Sequence, residues 1–374
     1  MTIGRKTIVV VLIILSVLIV SFGFYLTIQK PRTIEEGNET SESTIPIYEQ
    51  PKNYTLKELA SKCKIMIGTC VSYSSLSDKK YREIISREFS VITPENELKF
   101  VLVHPFRNIY TFSRADAIIS FAEEHGIKVR GHCLVWHQQL PDWILSGNYT
   151  REEWIEILRD HIYTVVRRYK GRLYAWDVVN EAFNDDGTLR DTVWLRNIGP
   201  EYIKLAFKWA HEADPDALLF YNDYGAEAIN RKSNAIYELV KSLLEEGVPI
   251  HGIGLQMHVR VEWYPNPQSV AENIKRFREL GLKVEITEMD VAIKLPVSEE
   301  EITKQAEIYK NILKVYLDSD DPQAFIMWGF VDKYSWINYT FPGYGSATIF
   351  DDEYRPKPAY YALIEAMLEK IGED

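Results

Sequence analysis

Two glutamates carry the first chemical signal. Glu181 closes the run "WDVVNE" and Glu288 closes "VEITE", so each follows mostly apolar residues, where an ionised carboxylate is costly unless paired or used. Two carboxylates facing one another across a cleft can cleave a glycosidic bond, one protonating the leaving oxygen and the other attacking the anomeric carbon. Asn180, directly before Glu181, could donate to a sugar 2-hydroxyl as an oxocarbenium-like transition state forms. His132, His137 and His258 lack the spacing of a zinc site and suit the orienting of carboxylates. Neither a metal nor a cofactor is expected.

Such residues need elements to position them. Short apolar, β-rich runs alternate with longer stretches of helical period, the pattern of parallel strands covered by helices. Strands are expected near 64–70, 89–96, 127–137, 173–181, 217–223, 251–258, 283–290 and 323–330. Eight such strands close a barrel, which predicts an α/β protein of the (β/α)8 TIM-barrel class. Active sites of that fold lie at the carboxyl ends of the strands. Polar residues collect there: Glu95 and Asn96, His132 and His137, Asn180 and Glu181, Asn222 and Asp223, Gln256 and His258, Glu288 and Asp290. Asn222 also suits a plain turn former. Strand alternation puts Asp177, Val179 and Glu181 on one face, and Ile286, Glu288 and Asp290 on another.

The segments "GHCLVWHQQLPDW", "WDVVNEAF", "GIGLQMHV", "EITEMD" and "MWGFVDKYSW", in that order, resemble the signatures of the family 10 glycoside hydrolases, the retaining endo-β-1,4-xylanases. The resemblance runs from about Leu56 to the C-terminus. It implies that Glu181 is the acid/base and Glu288 the nucleophile, with His258 hydrogen-bonded to the nucleophile and Asp290 behind it. It implies that Glu95, Asn96, Lys99, His132, Trp136 and Gln139 line the sugar sites before the cleavage point. Asn180 and Gln256 match polar groups of the site, and Tyr224, Trp328 and Trp336 match aromatics that stack on sugars or close it. The implied substrate is xylan or a xylo-oligosaccharide. Two departures stand out: Cys133 where a hydroxyl or small residue is more usual, and Ile337 where many members place arginine. The second bears on contacts to the leaving chain. Another barrel β-glycanase, a cellulase or mannanase, and a surface protein that binds carbohydrate without turnover are the alternative readings.

The 374 residues fit one barrel with long loops, and a net charge of -11 argues against a nucleic-acid partner, which would require clustered Lys and Arg. Arg5 and Lys6 precede an uncharged run from Ile8 to Ile28, long enough to span a bilayer and lacking a small-residue cleavage pattern. Residues 1–28 therefore read as a signal anchor or signal peptide, 29–53 as a polar linker, and 54–374 as a monomeric catalytic domain. The expected location is extracellular or at the cell surface, with membrane contact through the N-terminal segment if it is uncleaved. Asn-x-Thr sequons at Asn38, Asn53, Asn148 and Asn338 suit export. Cys63, Cys70 and Cys133 read as packed thiols, with a Cys70–Cys133 bridge left open.

Overall fold

The computed structural model describes residues 54–372, so the N-terminal apolar run and the whole of the 29–53 linker lie outside the described residues. The strands are β1 (Met66–Val71), β2 (Val91–Pro94), β3 (Lys128–Val135), β4 (Ala175–Asn180), β5 (Leu218–Asp223), β6 (Gly252–Leu255), β7 (His258–Arg260), β8 (Lys283–Lys294), β9 (Ala324–Met327) and β10 (Tyr344–Gly345). A parallel ladder runs β1-β2-β3-β4-β5-β6-β8-β9, and β9 returns to β1, Ala324 opposite Met66. This is a closed (β/α)8 barrel.

The helices outside it are specified locally. Helix Arg151–Arg168 starts at a capping box, in which Thr150 accepts from the Glu153 amide and the Glu153 side chain reaches back. It buries Trp154, Ile157, Leu158, Ile162, Val165 and Val166 at helical spacing and ends in Arg167 and Arg168, where cations favour the helix dipole. Ser298 and Glu301 form the same box ahead of helix Glu299–Asp318. Among the described residues no helix is long and apolar enough to cross a membrane.

Two expectations need correction, and one open point closes. All three cysteines are free, as the packed-thiol reading has it, so the Cys70–Cys133 bridge does not form. The strand expected over 251–258 breaks after Leu255: Met257 takes a φ of 66°, and the chain resumes as β7 against β8. The predicted shared faces hold only in part: Val179 and Ile286 leave them for the apolar core, whereas Glu288 and Asp290 stay together, both touching His258. The β4–β5 ladder slips between Asp177, opposite Phe220, and Val179, opposite Tyr221, leaving Val178 as an extra residue. A bulge inverts the alternation beyond it, so Asp177 and Asn180 both turn their side chains into the lumen, while Val178 and Val179 pack in the apolar core. A second slip, between Ile286 and Met289 of β8, separates Ile286 from the face of Glu288 and sets Glu285 on it instead.

Candidate active site

The lumen carries charge at two depths. Below the mouth, the fully buried Arg130 of β3 donates to Asp177 Oδ1 of β4 at 2.5 Å and to Glu285 Oε2 of β8 at 2.5 Å. Strands β3 and β8 are not neighbours in the ring, so the Arg130–Glu285 bond spans the lumen. Buried charge is tolerable there because each ion has a partner. Asp177 passes the network upward, its Oδ2 lying 2.9 Å from His132 Nδ1. Burial raises the Asp177 carboxyl, but Arg130 and His132 outweigh it and hold it below its usual value.

At the mouth, Glu288 is the focus. Asn222 Nδ2 donates to its Oε1 at 2.6 Å, His258 Nε2 lies 3.2 Å from its Oε2, and His132 Nδ1 lies 3.8 Å from Oε1. The His258 ring is held on its other side by Asp290 Oδ2 at 2.9 Å, and that same oxygen accepts from Trp336 Nε1 at 2.7 Å. Burial disfavours the charged ring of His258, yet Asp290 and Glu288 push it up to about 10. His132 also reaches about 10: burial opposes the charge, while the Cys133 sulfur, Glu288 and the bond to Asp177 favour it. Between two imidazolium rings, Glu288 is held below its ordinary value even though burial pulls it up. It is an anion at neutral pH.

Glu181 has a different setting. Among the described residues its Oε1 accepts only from amides, Gln256 Nε2 at 3.2 Å and Asn180 Nδ2 at 3.3 Å. His137 Nδ1 lies 4.0 Å from its Oε2, and burial pulls the His137 pKa down. A chain of amides joins the two carboxylates: Gln256 and Asn222 both donate to Asn180 Oδ1, at 3.2 and 2.9 Å, and each also holds one glutamate. The crossing from β5 to β8 passes over β6, and glycine makes room for it. A Cβ on Gly254 would sit 2.1 Å from Asn222 Oδ1.

A cavity of about 760 Å³ opens above these groups. Its lining includes every residue the family resemblance implied, namely Glu95, Asn96, Lys99, His132, Trp136, Gln139, Asn180, Glu181, Tyr224, Gln256, His258, Glu288, Asp290, Trp328 and Trp336, but not the strand-end residues His137, Asn222 and Asp223. At one end Lys99 Nζ donates to Asn96 Oδ1 at 3.0 Å and lies 4.9 Å above the Trp136 ring and 5.8 Å from that of Trp328. Gln139 also donates to Asn96, at 3.2 Å. Glu95 is raised by burial, an effect Lys99 opposes. At the rim stand residues the sequence did not put forward, among them Arg260, the 62% exposed Trp263, and Phe341. Asn222, put forward only as a strand-end residue that also suits a turn, proves to hold the Glu288 carboxylate. A cavity that carries tryptophan rings, side-chain amides and two carboxylates in its lining suits a neutral sugar chain.

The model of glycosyl hydrolase family 10 matches residues 55–366. An endo-1,4-β-xylanase B from Thermotoga neapolitana is 48% identical over 322 residues, which cover 85% of this chain and 93% of that one. The crystal structure of native xylanase 10B from Thermotoga maritima superimposes with a TM-score of 0.84 at 50% identity, covering 86% of this chain and all (100%) of that chain. Xylanase 10B from Thermotoga petrophila, solved in complex with xylobiose, gives 0.83 at 50% identity, with 86% and 99% covered.

Proposed function

This chain belongs to glycosyl hydrolase family 10, and from that premise we propose that it is an endo-1,4-β-xylanase. It hydrolyses internal β-1,4-xylosidic bonds with retention of configuration, through a covalent glycosyl-enzyme intermediate. Glu288 attacks the anomeric carbon, and Glu181 protonates the leaving oxygen and then activates water. The observation that carries these roles is the electrostatic asymmetry of the pair. Glu288 lies between His132 and His258 and stays ionised, as a nucleophile must, whereas Glu181 Oε1 accepts from the neutral amides of Gln256 and Asn180.

The remaining side chains divide by what they touch. Asp290 fixes the His258 ring so that its Nε2 points at Glu288. Asn180 stands beside Glu181 where a 2-hydroxyl would be bound. Lys99, Asn96, Gln139, Glu95 and Trp136 bind the sugars before the cleavage point, Trp328 and Trp336 close the site over them, and Tyr224 faces the leaving chain.

Reducing-end release from xylan, set against carboxymethylcellulose and mannan, tests the substrate. Xylan is expected to be cleaved far faster. Preferential cleavage of either other polymer makes the chain a different β-glycanase, and binding to xylan without release makes it a lectin-like protein.

The sequence before the barrel supports an exported enzyme tethered by its apolar run, with the basic Arg5 and Lys6 left inside. Activity recovered in the membrane fraction, released by detergent but not by salt, is the expected result. Recovery in the soluble fraction at the full-length mass would refute the tether.

A further inference from the structure

Glu181 occupies the left-handed region, with φ at 56°, a conformation that costs a non-glycine residue of order 1 kcal/mol or more and needs support from its surroundings. That support comes from groups the reaction itself does not use. Its own amide donates to Asn222 O at 2.9 Å. The peptide that follows it is held at both polar atoms. Arg190 Nε donates to the Glu181 carbonyl at 3.1 Å, and the Ala182 N–H donates to the hydroxyl of Tyr221 at 3.0 Å.

Tyr221 is fully buried, and its hydroxyl has a second tie, donating to Asp223 Oδ2 at 2.6 Å. Asp223 is fixed in turn by Lys232 Nζ at 2.8 Å, with both side chains 1% exposed, and by the Tyr224 amide at 2.9 Å. On the other side Arg190 also holds Phe183 O at 2.9 Å and the Tyr224 hydroxyl at 3.0 Å. A buried ion pair, a phenol and a guanidinium thus converge on one peptide plane. Rotation of that plane would change ψ of Glu181 and swing its carboxyl away from Gln256.

We propose that Tyr221, anchored by the Asp223–Lys232 pair, is a positioning residue for the acid/base, clamping the 181–182 peptide so that the Glu181 carboxyl is aimed at the glycosidic oxygen. This rests on Glu181 being the acid/base. Tyr221 leaves the nucleophile alone, since no bond joins it to Glu288, His132 or His258 among the described residues. Its loss therefore impairs proton transfer and spares nucleophilic attack, a split that mere loosening of the core would not produce.

The test is Tyr221→Phe in the full chain, which removes one oxygen and leaves the Ala182 amide unpaired. On xylan, kcat/KM is expected to fall about 10-fold, a fraction of what a general acid contributes. On 2,4-dinitrophenyl β-xylobioside, whose leaving group needs no proton, kcat/KM should stay within about twofold of the parent. Equal loss on both substrates, or no loss on either, overturns the proposal. Arg190→Gln loosens the same peptide from its carbonyl side, at a half-buried position, and should show the same split if Tyr221→Phe folds poorly. An unsplit loss there overturns the clamp as well. Failure of the parent enzyme on xylan would instead strike at the xylanase reading, and equal loss on both substrates in Glu181→Ala would strike at the acid/base assignment.

Discussion

Asn222 donates to Glu288 at 2.6 Å from a strand that is not the neighbour of β8, reaching over Gly254 to do so. Its amide oxygen is occupied by the Thr287 hydroxyl at 2.7 Å, which fixes which end of the amide faces the carboxylate. Asn222→Ala should therefore lower kcat about 10²-fold on activated and unactivated substrates alike, because the nucleophile loses a charge-assisted donor. Gly254→Ala should act through the same bond: the new methyl displaces the Asn222 side chain, lowering kcat about 10-fold at a stability cost of roughly 1–3 kcal/mol. Steady-state kinetics with thermal denaturation reads both. A Gly254→Ala enzyme with parental kcat would mean that Asn222 has somewhere else to go.

The importance of Asn222 was only half legible in the sequence. It closes an apolar run as Asn180 and Glu181 do, yet an asparagine before Asp223 and Tyr224 also reads as a turn former. The barrel itself was readable because each strand is a short apolar run between helical patterns, and the mouth because polar residues end those runs. The bulges were not. An extra residue leaves no mark on a hydropathy pattern when it is Val178, as buried as its neighbour Val179, so alternation wrongly set Val179 beside Asp177 and, across the slip in β8, Ile286 beside Glu288. Tyr221 escaped for a related reason: a buried aromatic in a strand reads as core, and nothing in its type announces that its hydroxyl holds the Ala182 amide.

The two carboxylates should be separable by substrate. Glu288→Ala removes the attacking group and is expected to abolish turnover of every substrate. Glu181→Ala is expected to lower kcat/KM on xylan by about 10²–10⁴ while largely preserving it on 2,4-dinitrophenyl β-xylobioside. Parallel rate measurements on the two substrates decide it. If both variants lose both activities equally, the roles drawn from the electrostatic asymmetry are wrong.

The imidazolium rings that flank Glu288 link its environment to stability. His258 and His132 are raised from 6.5 to about 10 on folding, so the folded chain holds those protons more tightly than the unfolded chain. Their stabilisation is complete below about pH 6.5 and disappears as pH rises towards 10. Glu288 is lowered, so its contribution is present above 4.5 and is lost as pH falls through its folded value. The combined effect favours the folded state most between about 4.5 and 6.5. His258→Gln should be markedly less heat-stable than the parent at the acid side of neutrality, with the gap in Tm closing towards pH 10. A gap that stays constant over that range would show that the His258 proton is not coupled to folding.

Stereochemistry tests the pair as a unit. In the structure one oxygen of Glu288 is taken by Asn222 and the other by His258. A carboxylate fixed at both oxygens suits direct attack on carbon more than the activation of a mobile water. On the proposed roles, attack by Glu288 inverts the anomeric centre once and water activated by Glu181 inverts it again, so the first-formed reducing end is expected to be β. Proton NMR during the first minutes of xylo-oligosaccharide cleavage should show the β-anomeric signal rising first, the α signal appearing only at the rate of spontaneous mutarotation. An α signal that leads would mean a single displacement by water, with Glu288 as its base, and the covalent intermediate would have to be given up.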